Sequence, residues 1–135
     1  MSSGFEVATR ARVQMVDVTP EVRAALRASG VVDGLCVVFV PHTTAAVTIQ
    51  ENSDPDVQRD VVAALARMVP DDPPGAGYRH LEGNSPAHVK ASLLGNSVAV
   101  PVEGGELALG TWQGIYLFEL DGPRSRRVRV SIVSG

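Results

Sequence analysis

The chain carries one cysteine in 135 residues, so no internal disulfide can form. That residue, Cys36, lies in the apolar run Leu35-Cys-Val-Val-Phe-Val40 and reads as a buried structural thiol. No apolar run approaches the roughly 20 residues that a membrane helix requires. The opening Met-Ser-Ser-Gly-Phe-Glu lacks the basic start and apolar centre of a secretion signal, so a cytoplasmic protein is expected. Neither sign of charge dominates. With 20% charged residues and a net charge of -3, nothing argues for nucleic acid or a membrane surface as partner. The one basic cluster is Arg124-Ser-Arg-Arg-Val-Arg129. Internal repeats and low-complexity segments are lacking, and the length suits a single domain, 1–135, with a proper core.

What is present alternates between strand and helix patterns. Residues 5–18 alternate with period two, which predicts one long half-buried strand or two joined at a kink. Thr19-Pro20 opens a helix with threonine as its cap, Val22, Ala25 and Leu26 as its apolar face, and Gly30 as its stop. Residues 35–40 predict a central strand and 45–50 another, as a hairpin or a single bent strand. Asp54-Pro55 opens the longest helix, whose stripe is Val57, Val61, Ala64, Leu65 and Met68. The loop 70–77, rich in Pro, Asp and Gly, delivers Tyr78, Arg79 and His80, either as a site wall or as a solvated connection. A third helix runs from Ser85-Pro86 to Leu93 and stops at Gly95. The remainder reads as strands at 97–102, 106–109, 113–120 and 126–133, separated by turn residues. Strand runs punctuated by modest helices define α+β: about seven mostly antiparallel strands with two to three helices.

The candidate chemistry lies at element boundaries. The chain has three histidines, His42, His80 and His88, and none shares a helix face with another. Converging, they would make an open site for a divalent metal such as zinc or magnesium; apart, each would bond a backbone group. Glu51, Asn52 and Asp54 gather where the longest helix begins, either to orient a histidine or move a proton, or, for Asp54, simply to cap. Asp60 joins them if its helix face looks inward. Backbone N–H groups around Asn84 suit an anion, with Arg124, Arg126 and Lys90 to add charge, Arg124 being the better candidate. Arg126, Arg127 and Arg129 alternate along a strand, and most of them are expected to face solvent. Trp112 and Gln113 form the tryptophan-bearing segment, for ring stacking, a subunit contact or core packing. Glu119, inside the apolar run 115–120, either faces solvent by alternation or is a buried partner for an arginine or histidine, with the second reading preferred.

These motifs together resemble the YjbQ family. The match rests on His42-Thr-Thr-Ala-Ala-Val-Thr-Ile-Gln-Glu51-Asn-Ser-Asp54, on His80, and on Gly83-Asn84 through Ala87-His88-Val-Lys90-Ala-Ser92-Leu-Leu-Gly95-Asn-Ser97. Leu109-Gly-Thr-Trp112-Gln113, Glu119 and Asp121-Gly-Pro-Arg124 complete it, so it spans essentially the whole chain. Ser85-Pro86 departs from the usual pattern, which affects how the helix bearing His88 begins.

The resemblance implies a sandwich-like α+β fold, a homotrimer, and a histidine site for a divalent metal. It also implies a secondary thiamine-phosphate synthase activity, joining hydroxymethylpyrimidine diphosphate to thiazole phosphate with release of pyrophosphate. On that reading Glu51, Asn52, Asp54, Asp60 and Glu119 are the catalytic candidates. Asn84, Lys90, Ser92, Ser97, Trp112, Gln113 and Arg124 are the candidates for holding the small phosphorylated substrate. Two alternatives stay open: a metal-dependent phosphohydrolase or lyase, and a non-catalytic binder of a small phosphorylated ligand.

Overall fold

The computed structural model of the chain describes residues 2–71, 77–80 and 82–135. Its elements run β1 (Ser2–Ala8), β2 (Gln14–Asp17), α1 (Thr19–Ser29), β3 (Gly34–Phe39), β4 (Ala45–Glu51) and α2 (Pro55–Met68). They continue with α3 (Ser85–Leu94), β5 (Ser97–Glu103), β6 (Glu106–Leu107), β7 (Gln113–Glu119) and β8 (Ser125–Ser134). A five-stranded sheet has the order β1-β8-β3-β5-β6 and a three-stranded sheet the order β2-β7-β4, with every pairing antiparallel. The α+β architecture expected from the pattern is present, with eight strands.

The periodicities explain the layers. In β8 the buried residues alternate as Arg126, Val128, Val130 and Ile132, while Arg127, Arg129 and Ser131 face out. Val128 and Val130 share one buried cluster with Cys36 and Val38 of β3, Val100 of β5, and Val47, Ile115 and Leu117 of the small sheet. Helix α1 closes this layer with Val22 and Leu26, which are fully or almost fully enclosed. Burying one such side chain stabilises by about 1.5–3 kcal/mol. A second cluster covers the other side of the small sheet: Ala46, Phe118 and Leu120 pack with Leu65 of α2 and Ala87 of α3. The order is therefore large sheet, small sheet, then α2 and α3, with α1 against the core between the sheets. Cys36 is fully buried and its thiol is pushed up to about 11 by that burial, as a structural thiol should be.

Several local expectations are corrected. Residues 5–18 form two strands, one of the two arrangements expected, but these lie in different sheets. Residues 34–51 form neither a hairpin nor one bent strand, because β3 belongs to the large sheet and β4 to the small one. Val18 is the cap position of α1, and Thr19 is its first residue; the Thr19 hydroxyl instead donates to Asp17 and accepts from the Ile115 N–H. Met68 is exposed, and the apolar stripe of α2 is finished by buried Val69 beyond the helix end. Asp54 caps α2 as expected, accepting from the Asp56 N–H at 2.9 Å. In the loop 70–77, residues 72–76 lie outside those described.

Three of the sheet crossings lie together. Ala8 of β1 pairs with Ser125 of β8, while Gln14 of β2 and Ala45 of β4 both pair with Glu119 of β7. The connections 8–14, 40–44 and 119–125 thus pass from one sheet to the other at a single end of the sandwich. That end carries the site.

Candidate functional site

At this end of the sandwich a cleft of about 580 Å³ is lined by His42, His80 and His88 together with Glu82, Asn84, Asn96, Arg124 and Arg126. Three regions supply them. The 40–44 connection presents His42, the start of α3 and the turn before it present His80 to His88, and the start of β8 presents the arginines. The convergence follows from the crossings, which bring chain segments about 80 residues apart to one rim.

The floor is a buried ion pair. Glu119 is fully enclosed, and the Arg126 side chain is only 4% exposed. Arg126 donates from Nε and Nη2 to the two Glu119 oxygens at 2.8 and 2.5 Å, and from Nη2 to the Thr44 carbonyl and hydroxyl. Thr9 Oγ1 and the N–H groups of Leu120 and Asp121 also donate to Glu119. Burial alone would raise the Glu119 carboxyl, but these donors win and hold it below its ordinary value. An ionised pair in an apolar floor persists only when its hydrogen bonds are supplied in this way. Arg124 sits above, donating from Nε and Nη2 to the carbonyl and carboxylate of Asp121.

His42 is half-buried, and its Nε2 accepts the Arg127 backbone N–H at 2.8 Å. A ring that accepts at Nε2 carries its proton on Nδ1. Burial, and then the nearby charge of Arg126, lower the basicity of His42, so the neutral form is favoured. The His80 and His88 rings meet edge to face, with centroids 5.2 Å apart at 83°. His80 Nε2 lies 3.7 Å from Glu82. Asn84 donates from Nδ2 to Asp121 at 2.8 Å, which leaves its enclosed Oδ1 without a hydrogen-bond partner among the described residues. The unmet atom is therefore an acceptor, suited to an N–H or O–H group rather than to an ionised phosphate oxygen.

Other candidates lie elsewhere. Glu51, Asn52, Asp54 and Asp60 do not line the cleft. The Glu51 carbonyl accepts from Gln58 and Tyr116, and the Asn52 N–H donates to the Trp112 carbonyl. Asp54 is the helix cap, and Asp60 is exposed on α2. Lys90 is buried on α3, and the Ser92 hydroxyl donates to the His88 carbonyl beside a smaller pocket shared with His42 and His88. Ser97 opens β5, exposed. Trp112 is 62% exposed, and Gln113 closes its own turn by accepting the Gly110 N–H. Tyr78 and Arg79 are exposed and outside the cleft lining.

Glu82 and Asn96 were missed by sequence reasoning, and Arg126, named there as a possible source of charge, was set among arginines expected mostly to face solvent. Arg126 had a legible signal, because it shares parity with Val128, Val130 and Ile132. Nothing in the sequence points to Glu82 or Asn96, which reach the cleft through loop placement alone.

A two-sheet antiparallel sandwich, backed by two helices and carrying an imidazole- and arginine-lined cleft at its crossover end, defines the class. The chain belongs to the YjbQ/UPF0047 family: the profile described as UPF0047 protein YjbQ-like matches residues 3–135. A UPF0047 protein of Methanocaldococcus jannaschii is 44% identical over 129 residues, covering 96% of this chain and 91% of its own length. UPF0047 protein YugU of Bacillus subtilis is 43% identical over 133 residues, covering 98% and 99%. The crystal structure of an uncharacterised YjbQ/UPF0047 protein from Clostridium acetobutylicum superposes with a TM-score of 0.93 at 50% identity, covering 97% of this chain and 99% of that one. A YbjQ-like protein of unknown function from Sulfolobus solfataricus gives 0.92 at 32% identity, covering 100% and 97%.

Proposed function

We propose that the cleft binds a small phosphorylated substrate and that the protein is a thiamine-phosphate synthase of secondary type. It would join hydroxymethylpyrimidine diphosphate to thiazole phosphate and release pyrophosphate. The observation that carries this reading is the gathering of all three histidines with Arg124 and Arg126 around one cleft of about 580 Å³. That volume suits a small molecule. Arginine donors stabilise charge developing on a departing diphosphate, and a neutral imidazole such as His42 donates a hydrogen bond to it without carrying a full charge. Glu82, beside His80, is the carboxylate within the cleft lining and supplies a proton acceptor there.

The residues suit a divalent metal in kind but not in arrangement. The Nε2 lone pair of His42 is already used by the Arg127 N–H. Among the described residues no three His, Cys, Asp or Glu side chains are gathered as metal ligands. No step is therefore assigned to zinc or magnesium.

In this reading the protein works in the cytoplasm as a homotrimer, on a soluble substrate and without nucleic acid. No helix among the described residues is long and apolar enough to cross a membrane. Self-association is supported by the outer face of the large sheet, where Leu35 and Val133 are paired neighbours and both are exposed.

The test is to incubate purified protein with both substrates and to quantify thiamine phosphate and pyrophosphate, wild type beside His42→Ala. Equimolar products lost in the variant support the synthase reading. Hydrolysis of a phosphate ester without the thiazole partner would replace it with a phosphohydrolase. Binding with no product would replace it with a ligand-binding protein.

A further inference from the structure

Arg126 is held in a way that its ion pair does not explain. A guanidinium has five N–H donors. The Nε hydrogen and both Nη2 hydrogens go to Glu119 and Thr44, but Nη1 has no partner among the described residues. Nη1 is not sealed in either. The enclosed side-chain polar atom lacking a partner is Asn84 Oδ1, so Nη1 retains exposure, and the surface that Arg126 reaches is the cleft. A side chain 4% exposed thus spends that exposure at the site.

Its rigidity is as informative as its direction. Glu119 fixes the guanidinium plane through two parallel bonds, and Thr9, Leu120 and Asp121 in turn fix Glu119. An arginine whose plane is set before the ligand arrives loses little freedom on binding, and its field acts in a partly dry surrounding. Arg124 differs: its side chain is half exposed and it is tied to Asp121 alone.

We propose that Arg126 is the anion anchor of the cleft, presenting Nη1 to an oxyanion of the ligand, and that Glu119 is the positioning residue that aims it. This rests on the reading that the cleft takes a phosphorylated substrate, and it assigns the group that holds the phosphate. Glu119, with both oxygens occupied by donors, handles no proton in this arrangement.

Pyrophosphate alone is the probe, titrated into 15N-labelled protein by NMR and into unlabelled protein by calorimetry. In the wild type, the Arg126 Nη1 protons are expected to shift on titration while the Nε proton, held by Glu119, stays nearly still. Removing Arg126 alone strands Glu119, so the variant is Glu119→Gln with Arg126→Met, which removes both charges and keeps an acceptor for the Leu120 and Asp121 N–H groups. Pyrophosphate affinity should fall about 10- to 100-fold in that variant, the range for a charge-assisted hydrogen bond, and by less in Arg124→Met. Should the double variant fail to fold, the wild-type Nη1 shift decides by itself. Equal affinity in the folded double variant, or an unmoved Nη1 in a saturated wild type, overturns the anchor while leaving the cleft reading intact. No binding to wild type overturns both.

Discussion

The Arg127 backbone N–H donates to Nε2 of His42 across 2.8 Å, linking the connection after β3 to the start of strand β8. This one bond sets the tautomer of the imidazole and determines what the cleft can offer a ligand. Burial, and then the charge of Arg126, make His42 a pH-sensitive part of the fold. The neutral ring is favoured in the folded state, so below the unfolded value of 6.5 the unfolded chain binds more protons. Stability is then fully present above about pH 6.5 and falls as the pH drops through the folded value. Thermal melts from pH 8 to pH 5 should show this decline, and His42→Gln should flatten it. A decline of unchanged size in His42→Gln would assign it to other groups.

A second, more acidic decline is expected from Glu119. Its folded carboxyl lies below its ordinary value of 4.5, so its contribution is present above that pH and is lost below it. Glu119→Ala at pH 7 should destabilise by about 3–5 kcal/mol, because Arg126 is left charged and buried. Restoring balance with Arg126→Met beside Glu119→Gln should recover a large part. Urea unfolding of the variants measures both.

Gly122 abuts the same network. A Cβ there would meet the Ala11 carbonyl oxygen at 2.4 Å, Glu119 Cγ at 2.7 Å and Thr9 Oγ1 at 2.9 Å. Gly122→Ala should destabilise by about 1–3 kcal/mol and weaken pyrophosphate binding by displacing Glu119. Gly30→Ala is the contrasting case. Its Cβ would meet nothing within 4 Å, and only the positive φ of 71° opposes it. It should leave ligand binding unchanged.

A divalent ion can engage His42 only if the ring turns or gives up the Arg127 N–H. Zinc or magnesium added to the wild type should therefore be removed by dialysis, without movement of the His42 ring signals. Elemental analysis beside His88→Ala checks this. Stoichiometric metal retained by the wild type, lost in the variant and accompanied by a shifted His42, would establish a three-histidine centre.

The outer face of the large sheet yields the last prediction. Leu35 is 42% and Val133 61% exposed, side by side on β3 and β8. On the proposed trimer, a carboxylate placed there with Val133→Glu should lower the mass in light scattering to that of a monomer while the circular dichroism spectrum is retained. A wild-type monomer, or a trimer indifferent to the substitution, would move the interface elsewhere or remove it.

Local chemistry was legible in the sequence wherever neighbours along the chain decide the outcome. The period-two and helical patterns, Asp54 as a cap, Gly30 and Gly95 as stops, and Cys36 as a core thiol depend on nearby backbone geometry and on hydrophobic burial. Glu119 was legible in part, since an acid inside an apolar strand either faces solvent by alternation or needs a buried partner, and the structure has the second. Which partner, and which sheet each strand joins, were tertiary decisions. A strand pattern records which face is buried but not the strand that lies beside it, so β3 and β4 gave no hint that they separate. The three crossings at one end of the sandwich bring His42, His80 and His88 to one cleft and leave Glu51, Asp54 and Asp60 outside it. They also turn Arg126 inward onto Glu119: the pair is only 7 residues apart in the chain, but Thr44 and Thr9, which complete its network, lie 82 and 110 residues away and are brought in by how the sheets stack.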